Sequence, residues 1–467
     1  MMKWTLGFIA ATVFAASAAA GTAEIVSGSA DRESTAITVY NDDLALIKER
    51  RRITLPAGLS RLSLREVSAQ LRPETAMLRA IYGRPLTLLE QNFDFDLLTP
   101  EKLLEKYVGR EVSVLRVHPT TGEERREKAT VLAASNGTVL RFADRIETGA
   151  PGRIVFDSVP ATLRDRPTLS LLLEAAGGSQ SLELSYLSGG LSWQADYVAN
   201  LAADGKSMDL SAWVTLNNHS GASYEEASLQ LVAGKLNRAA PARPLLAYAA
   251  SALRAKAAEV AEESLLDYHL YSFERPTTIA DNQSKQLALL SAAGIPVRRD
   301  YVLAGADYYY RERSGQIAEK IKPAVFIEFA NKGGQLGKPL PAGVIRVYAR
   351  DSKGGAQFVG EDRIGHTAKN ENVRLKLGEA FDISVERKQT SYRKLGETSA
   401  ESAFHLELRN ARDEAVSVRI EEALPGDWEI VQETQKSTKE SALLAVWNLS
   451  VPANGSATLD YTARVRW

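Results

Sequence analysis

Apolar and polar residues alternate with a period of two along most of this chain, the pattern of strands with one buried and one wet face. The first such runs, residues 36–40 (AITVY) and 51–55 (RRITL), flank the turn composition Asn41-Asp42-Asp43. Pro56-Ala57-Gly58 is expected to close the second run. Leu62 and Leu64 then alternate with Ser63 and Arg65, which makes the region from about 35 to 90 a meander. At EKLLEKYVG the period changes to that of a short helix, with Thr99 as N-cap, Pro100 at the first helical position and Gly109 as the stop. Four or five short strands follow before Pro160, with a turn at Pro119–Gly122 and the hairpin dipeptide Asn136-Gly137. So many strands in so few residues predict a small barrel of the SH3 or Sm type.

From 168 the strands lengthen. Leu182, Leu184 and Tyr186 share one face. Met208, Leu210, Ala212, Val214 and Leu216 share another, with Asp209, Ser211, Trp213 and Thr215 on the wet side. Leu229 and Leu231 repeat the pattern. An alanine-rich stretch opening at Pro241 and Pro244 and ending in Glu259, Glu262 and Glu263 breaks it, and is expected to be a loosely packed helix or linker. Strand patterns resume at 268–273 (YHLYSF), place Val325, Ile327 and Phe329 inward, and continue to Trp467. Turns at Asn410–Glu414, Pro425-Gly426 and Pro452–Gly455 give the last segment the spacing of an immunoglobulin-like sandwich.

The expected fold is therefore mainly β and multi-domain: β-sandwiches, a small SH3/Sm-like barrel, an Ig-like C-terminal domain and a short Ala-rich helix. The boundaries follow the pattern shifts. Residues 1–23 are a signal peptide, 24–95 an N-terminal β segment and 96–162 the barrel. The central sandwich occupies 163–238 and 265–400 around the Ala-rich 239–264, and 401–467 is the Ig-like domain.

The signal peptide follows from Lys3, the apolar run after Trp4 and small residues offering cleavage after Ala20 or Ala23. That run falls short of the roughly 20 apolar residues a membrane span needs. A periplasmic or secreted protein is expected, with no transmembrane segment after cleavage. The chain of 467 residues has 57 basic and 58 acidic side chains, a net charge of −1, so no basic excess is available for nucleic acid. It has no cysteine, which excludes disulfides, thiolate nucleophiles and Cys-based metal sites.

Candidate chemistry is sparse. His118, His219, His269, His366 and His405 form no pair at metal-binding spacing, and His269 and His405 read as hydrogen-bonded strand residues. No G-x-S-x-G elbow is present. Glu225-Glu226, Glu262-Glu263 and Glu421-Glu422 read as solvated surface pairs. Gly333–Lys338 reads as a hairpin loop, because Pro339 and Leu340 stand where a phosphate loop needs Ser/Thr and a helix. The basic run Lys48–Arg52 reads as the wet face of an edge strand, an anionic partner being the sharper alternative. Tyr308-Tyr309-Tyr310 reads as packing over a sheet edge, with partner contact as its alternative. No catalytic, cofactor-binding or metal-binding residue is assigned, and no cofactor is expected.

Residues 191–201 (LSWQADYVANL), 210–234, 268–290 (YHLYSFERPTTIADNQSKQLALL) and 340–388 together resemble a family of exported bacterial proteins catalogued as domain of unknown function 4139. Residues 37–58 resemble the segment that often precedes it. The resemblance implies an exported, mainly β protein with no agreed activity. One branch is named for inhibiting mucoidy, a role not carried over here. The expectation is a non-catalytic periplasmic or cell-envelope protein, its partner an envelope protein or surface glycan engaged through sandwich loops and edges. The alternative is a cell-envelope hydrolase with an unconventional inter-domain site.

Overall fold

The computed structural model describes residues 24–82, 85–94, 96–135, 137–150, 152–160, 163–234, 236–237, 262–265, 268–351 and 353–467. The expected signal peptide and nearly all of the Ala-rich segment lie outside the described residues. Glu262–Leu265, at that segment's end, form a strand.

Two sheets face each other across one large core. The first has ten strands, in the order Glu262–Leu265, Tyr268–Ser272, Tyr224–Ala233, Arg32–Tyr40, Leu44–Arg65, Thr168–Ser188 and Met77–Tyr82. Glu24–Ser27, Thr277–Ile279 and Leu86–Asp94 pair beside this path. The second has five, in the order Gln283–Pro296, Ser207–Asn218, Leu191–Leu201, Gly343–Arg350 and Ala356–Ile364. Ile37, Ile47, Leu184 and Tyr186 of the first meet Trp193, Tyr197, Leu210, Val214 and Ile345 of the second. The alternation at 208–216 is met: Met208, Leu210, Ala212, Val214 and Leu216 are buried and Trp213 is exposed. The N-terminal segment is thus not peripheral. Its two long strands are the middle of the large sheet.

Pro56-Ala57-Gly58 does not close a strand as expected. Leu44–Arg65 runs through it as one strand, paired along its length with Thr168–Ser188. The pairing passes from Leu55↔Gly178 to Ala57↔Ala176, leaving Pro56 beside Gly177. Proline has no N–H to give the ladder, and the chain bends there on Gly58 (φ +90°) and Gly177 (φ +82°). A Cβ on Gly177 would come 3.0 Å from the Ala57 nitrogen, so glycine permits the close approach.

The small unit is inserted between Leu86–Asp94 and Thr168–Ser188, which pair with each other. Its helix Pro100–Lys106 is capped by Thr99 Oγ1, which accepts from the Lys102 nitrogen at 3.2 Å. Its five strands run in the order Arg153–Val155, Glu111–Val117, Glu124–Ala133, Val139–Arg141 and Ile146–Thr148, so that the last in sequence, Arg153–Val155, pairs with the first, Glu111–Val117. Tyr107, Val114, Val131, Leu140 and Phe142 fill a core of its own.

The C-terminal sandwich packs a six-stranded sheet on a five-stranded one around Trp447, Phe404, Tyr461, Leu406 and Ile420. Its strands cross residue 401. Arg298–Ala304, Ala324–Ala330 and Asn372–Glu379 enter the six-stranded sheet, and Gln316–Ile321 and Ile383–Lys394 enter the five-stranded one. Ser399–Asn410 pairs with Ile383–Lys394 on one side and Gly455–Arg466 on the other, so residues 401–467 alone would leave both sheets incomplete. Leu459, Tyr461 and Val465 of the closing strand point into this core. No helix among the described residues is long and apolar enough to cross a membrane.

Candidate functional site

The charged run Lys48–Arg52 is not the wet face of an edge. Leu44–Arg65 is an interior strand, paired with Arg32–Tyr40 and with Thr168–Ser188. Its inward stripe is Ile47, Glu49, Arg51, Ile53 and Leu55, all buried. Arg51 Nη2 donates to Glu49 Oε2 at 2.6 Å and to the Arg65 carbonyl at 2.9 Å, and Nη1 donates to the Ser27 carbonyl at 3.0 Å. Arg32 Nε lies 3.6 Å from the same carboxylate. This cluster fastens the strand Glu24–Ser27 to the sheet. Two cations on one carboxylate, closed off from water, form a structural fastener rather than a surface for anions.

Glu421-Glu422 is likewise not a solvated pair. Glu422 is fully buried, continuing the inward stripe Val416, Val418 and Ile420. Arg387, also buried, donates through Nη2 to Glu422 Oε1 at 2.6 Å, and Tyr310 OH donates to Oε2 at 2.8 Å. The Tyr310 and Tyr461 hydroxyls are 2.8 Å apart, and the Tyr309 ring lies 5.1 Å from the Arg387 guanidinium. Burial pushes the Glu422 carboxyl up, while Arg387 and the two hydroxyls pull it back. Of the three tyrosines, Tyr310 is in the core, Tyr309 covers the arginine and Tyr308 is exposed, so the cluster mainly packs. Glu225 and Glu226 are exposed as expected.

The histidines are spread over the molecule. His118 caps its hairpin turn, and exposed His219 lies 3.3 Å from Asn282 Oδ1. His405 Nδ1 is 2.7 Å from Asp460 Oδ1 on the neighbouring strand. His366 Nδ1 accepts from the Ala342 nitrogen, and burial and nearby His269 hold its pKa below the usual range. The Gly333–Lys338 loop is organised by buried Asn331, whose Nδ2 donates to the Lys338 and Ala368 carbonyls and whose Oδ1 accepts from Gly337. Asn41–Asp43 is the tight turn its composition predicts, with Asp43 at φ +46°. No group of three or more metal-ligating side chains gathers among the described residues.

What remains is on the open side of the large sandwich. A groove of about 560 Å³ runs between Tyr271–Thr277 of one sheet and Leu287–Leu290 of the other, floored by Lys338 and Pro339. Phe273, Leu287, Leu289 and Leu290 line it half-buried, packed on the main core. Tyr271 OH fixes the floor by donating to the Pro339 carbonyl at 3.2 Å. Among the described residues Gln283–Pro296 forms a ladder on one side only, with Ser207–Asn218, and its Ala293 nitrogen donates to Gln335 Oε1 at 2.7 Å. The register skips Leu289, so a bulge turns Leu289 and Leu290 both toward the groove. Arg275 and Lys338 stand there against Glu274, and none of the three forms an ion pair among the described residues. A second opening, about 630 Å³ between Asp204–Lys206, Val297–Tyr301 and Glu414–Arg419, is charged, and there Arg298 pairs with Asp300 and Arg419 with Glu421. The groove is the opening whose apolar walls and two cations are left unmatched within the described residues.

A family profile described as "Domain of unknown function (DUF4139)" matches residues 182–467. The chain belongs to the DUF4139 family. Comparison with curated proteins gives no match. The DUF4139 region opens at Leu182, part-way along Thr168–Ser188, and takes in the whole five-stranded sheet, the C-terminal sandwich and every residue lining the groove. The Glu49–Arg51 fastener and the small inserted unit lie before it. Sequence reading missed the groove because its two walls come from strands that pair in different sheets. It missed the two buried ion pairs although each charged residue sits in phase with an apolar stripe.

Proposed function

We propose that this DUF4139 protein is a non-catalytic binding protein of the bacterial cell envelope, exported to the periplasm, which holds a partner protein at the open side of its large sandwich. The observation that carries this reading is the groove itself: half-buried Phe273, Leu287, Leu289 and Leu290 along a sheet-end strand, beside Arg275 and Lys338, which form no ion pair among the described residues. Apolar surface left open beside polar rim groups is what a recognition site requires. The most buried carboxylates, Glu49 and Glu422, are already committed to arginines inside cores, which supports a structural role for them.

A photo-reactive phenylalanine analogue at Ala288, on the groove wall, should cross-link the exported protein to a discrete envelope protein in growing cells. The same group at exposed Lys436, on the C-terminal sandwich, should not. Equal adducts at both positions, or none at Ala288, would contradict the reading. So would saturable hydrolysis of peptidoglycan or polysaccharide abolished by a single carboxylate or histidine change.

A further inference from the structure

Resting on that reading of the groove, we infer that the partner enters as an extended polypeptide segment that pairs with Gln283–Pro296 and adds a sixth strand to the five-stranded sheet. The occupant is an acidic-flanked stretch with apolar residues at alternate positions.

The edge itself argues for this. At 14 residues Gln283–Pro296 is far longer than other sheet-end strands of the molecule: Glu262–Leu265 and Thr438–Ser441 have 4, Gln316–Ile321 has 6 and Asp427–Glu433 has 7. Long edges offer a row of backbone donors and acceptors, and proteins usually shorten or cover them. The opposite end of the same sheet is covered: Ala356–Ile364 lies against Asn372–Glu379, whose Lys376 nitrogen donates to Asp362 Oδ2 at 2.8 Å. Only Lys285 among the edge residues carries a charge.

The groove supplies what strand addition needs beyond backbone pairing. Alternate side chains of an added strand point to opposite faces, one set inward and one outward. The inward set would enter the groove over Phe273, Leu287 and Leu290. The outward set would lie beside exposed Trp213, which pairs directly with Ala288 one strand in from the edge. Arg275 and Lys338 against the single Glu274 give the groove lining a net positive charge, which selects acidic flanks.

The test uses the purified full chain and a synthetic peptide of about nine residues, alternating valine and threonine with an aspartate at each end. Binding is read by the fluorescence of Trp213, and Trp213→Phe should remove the signal while an anisotropy readout on labelled peptide still reports binding. Methylating the peptide's backbone nitrogens at every second residue should weaken binding about tenfold or more in one phase and little in the other, because only alternate amides face the edge. Lysine ends in place of aspartate should weaken it to a similar degree, and so should Leu290→Asp. If both methylated phases bind like the parent peptide, the occupant fills the groove without pairing and strand addition is overturned while the binding reading stands. If no peptide binds although the Ala288 cross-link forms, an extended polypeptide is the wrong class. If the cross-link is absent as well, the reading beneath the inference has failed with it.

Discussion

Replacing Arg387 with methionine should destabilise the protein by about 3–5 kcal/mol, because it strands the Glu422 carboxylate in the core without its cation. The pair is closed from water, with side-chain exposures of 1% and 0%, so solvent cannot replace the lost partner. The remaining Tyr310 hydroxyl donates a hydrogen bond but no charge. The loss should depend on pH, and its sign follows from Glu422. Burial already raises this carboxyl in the folded protein, and removing the arginine that pulls it back raises it further. A folded-state pKa above the unfolded one means that stability is full below the unfolded value, near 4.5, and is lost as pH rises through the folded value. The gap between wild type and Arg387→Met in urea unfolding should therefore narrow as pH falls from 7 toward 5. A gap of the same size throughout that range would show that Glu422 is not the group left stranded. Arg387→Met combined with Glu422→Leu should recover most of the loss, as apolar replacements of buried pairs often do.

Glu49→Gln should cost about as much, about 3–5 kcal/mol, for the mirror-image reason. It leaves Arg51 buried with carbonyl partners at Ser27 and Arg65 but no counter-charge, and it removes the anion that also faces Arg32. The fastener joins Glu24–Ser27 to the interior strand, so hydrogen exchange at Glu24–Ser27 should quicken in the variant before the rest of the sheet responds. Thermal unfolding checks the magnitude. A loss below about 1 kcal/mol, with exchange at Glu24–Ser27 unchanged, would mean the arginine keeps adequate solvation from its carbonyl partners alone.

Both pairs were legible to a stricter reading of period two. Ile47, Ile53 and Leu55 place Glu49 and Arg51 inward, and Val416, Val418 and Ile420 do the same for Glu422. The charges hid this because a run such as Lys48–Arg52 looks solvated when read as composition rather than phase. Single strands were read well wherever alternation was strict, as at 208–216 and 459–465, since burial of one face alone dictates them. The break expected at Pro56–Gly58 failed because a glycine at positive φ in each of the two paired strands, Gly58 and Gly177, lets the chain bend without ending the ladder, a pairing that a linear pattern does not display. Sheet membership was less visible still. The C-terminal sandwich borrows strands beginning near Arg298, and the groove needs Tyr271–Thr277 and Leu287–Leu290 from different sheets, so it exists only once the layers are stacked.

Hydrogen exchange on the partner complex isolated through the Ala288 cross-link bears most directly on the claim that this DUF4139 protein works by recognition at its open sandwich side. Amides along Gln283–Pro296 should slow strongly relative to the free protein, while those of the short C-terminal edge Gln316–Ile321 keep their rates. Unchanged exchange along Gln283–Pro296, with protection gained on another face, would place recognition elsewhere and contradict the account.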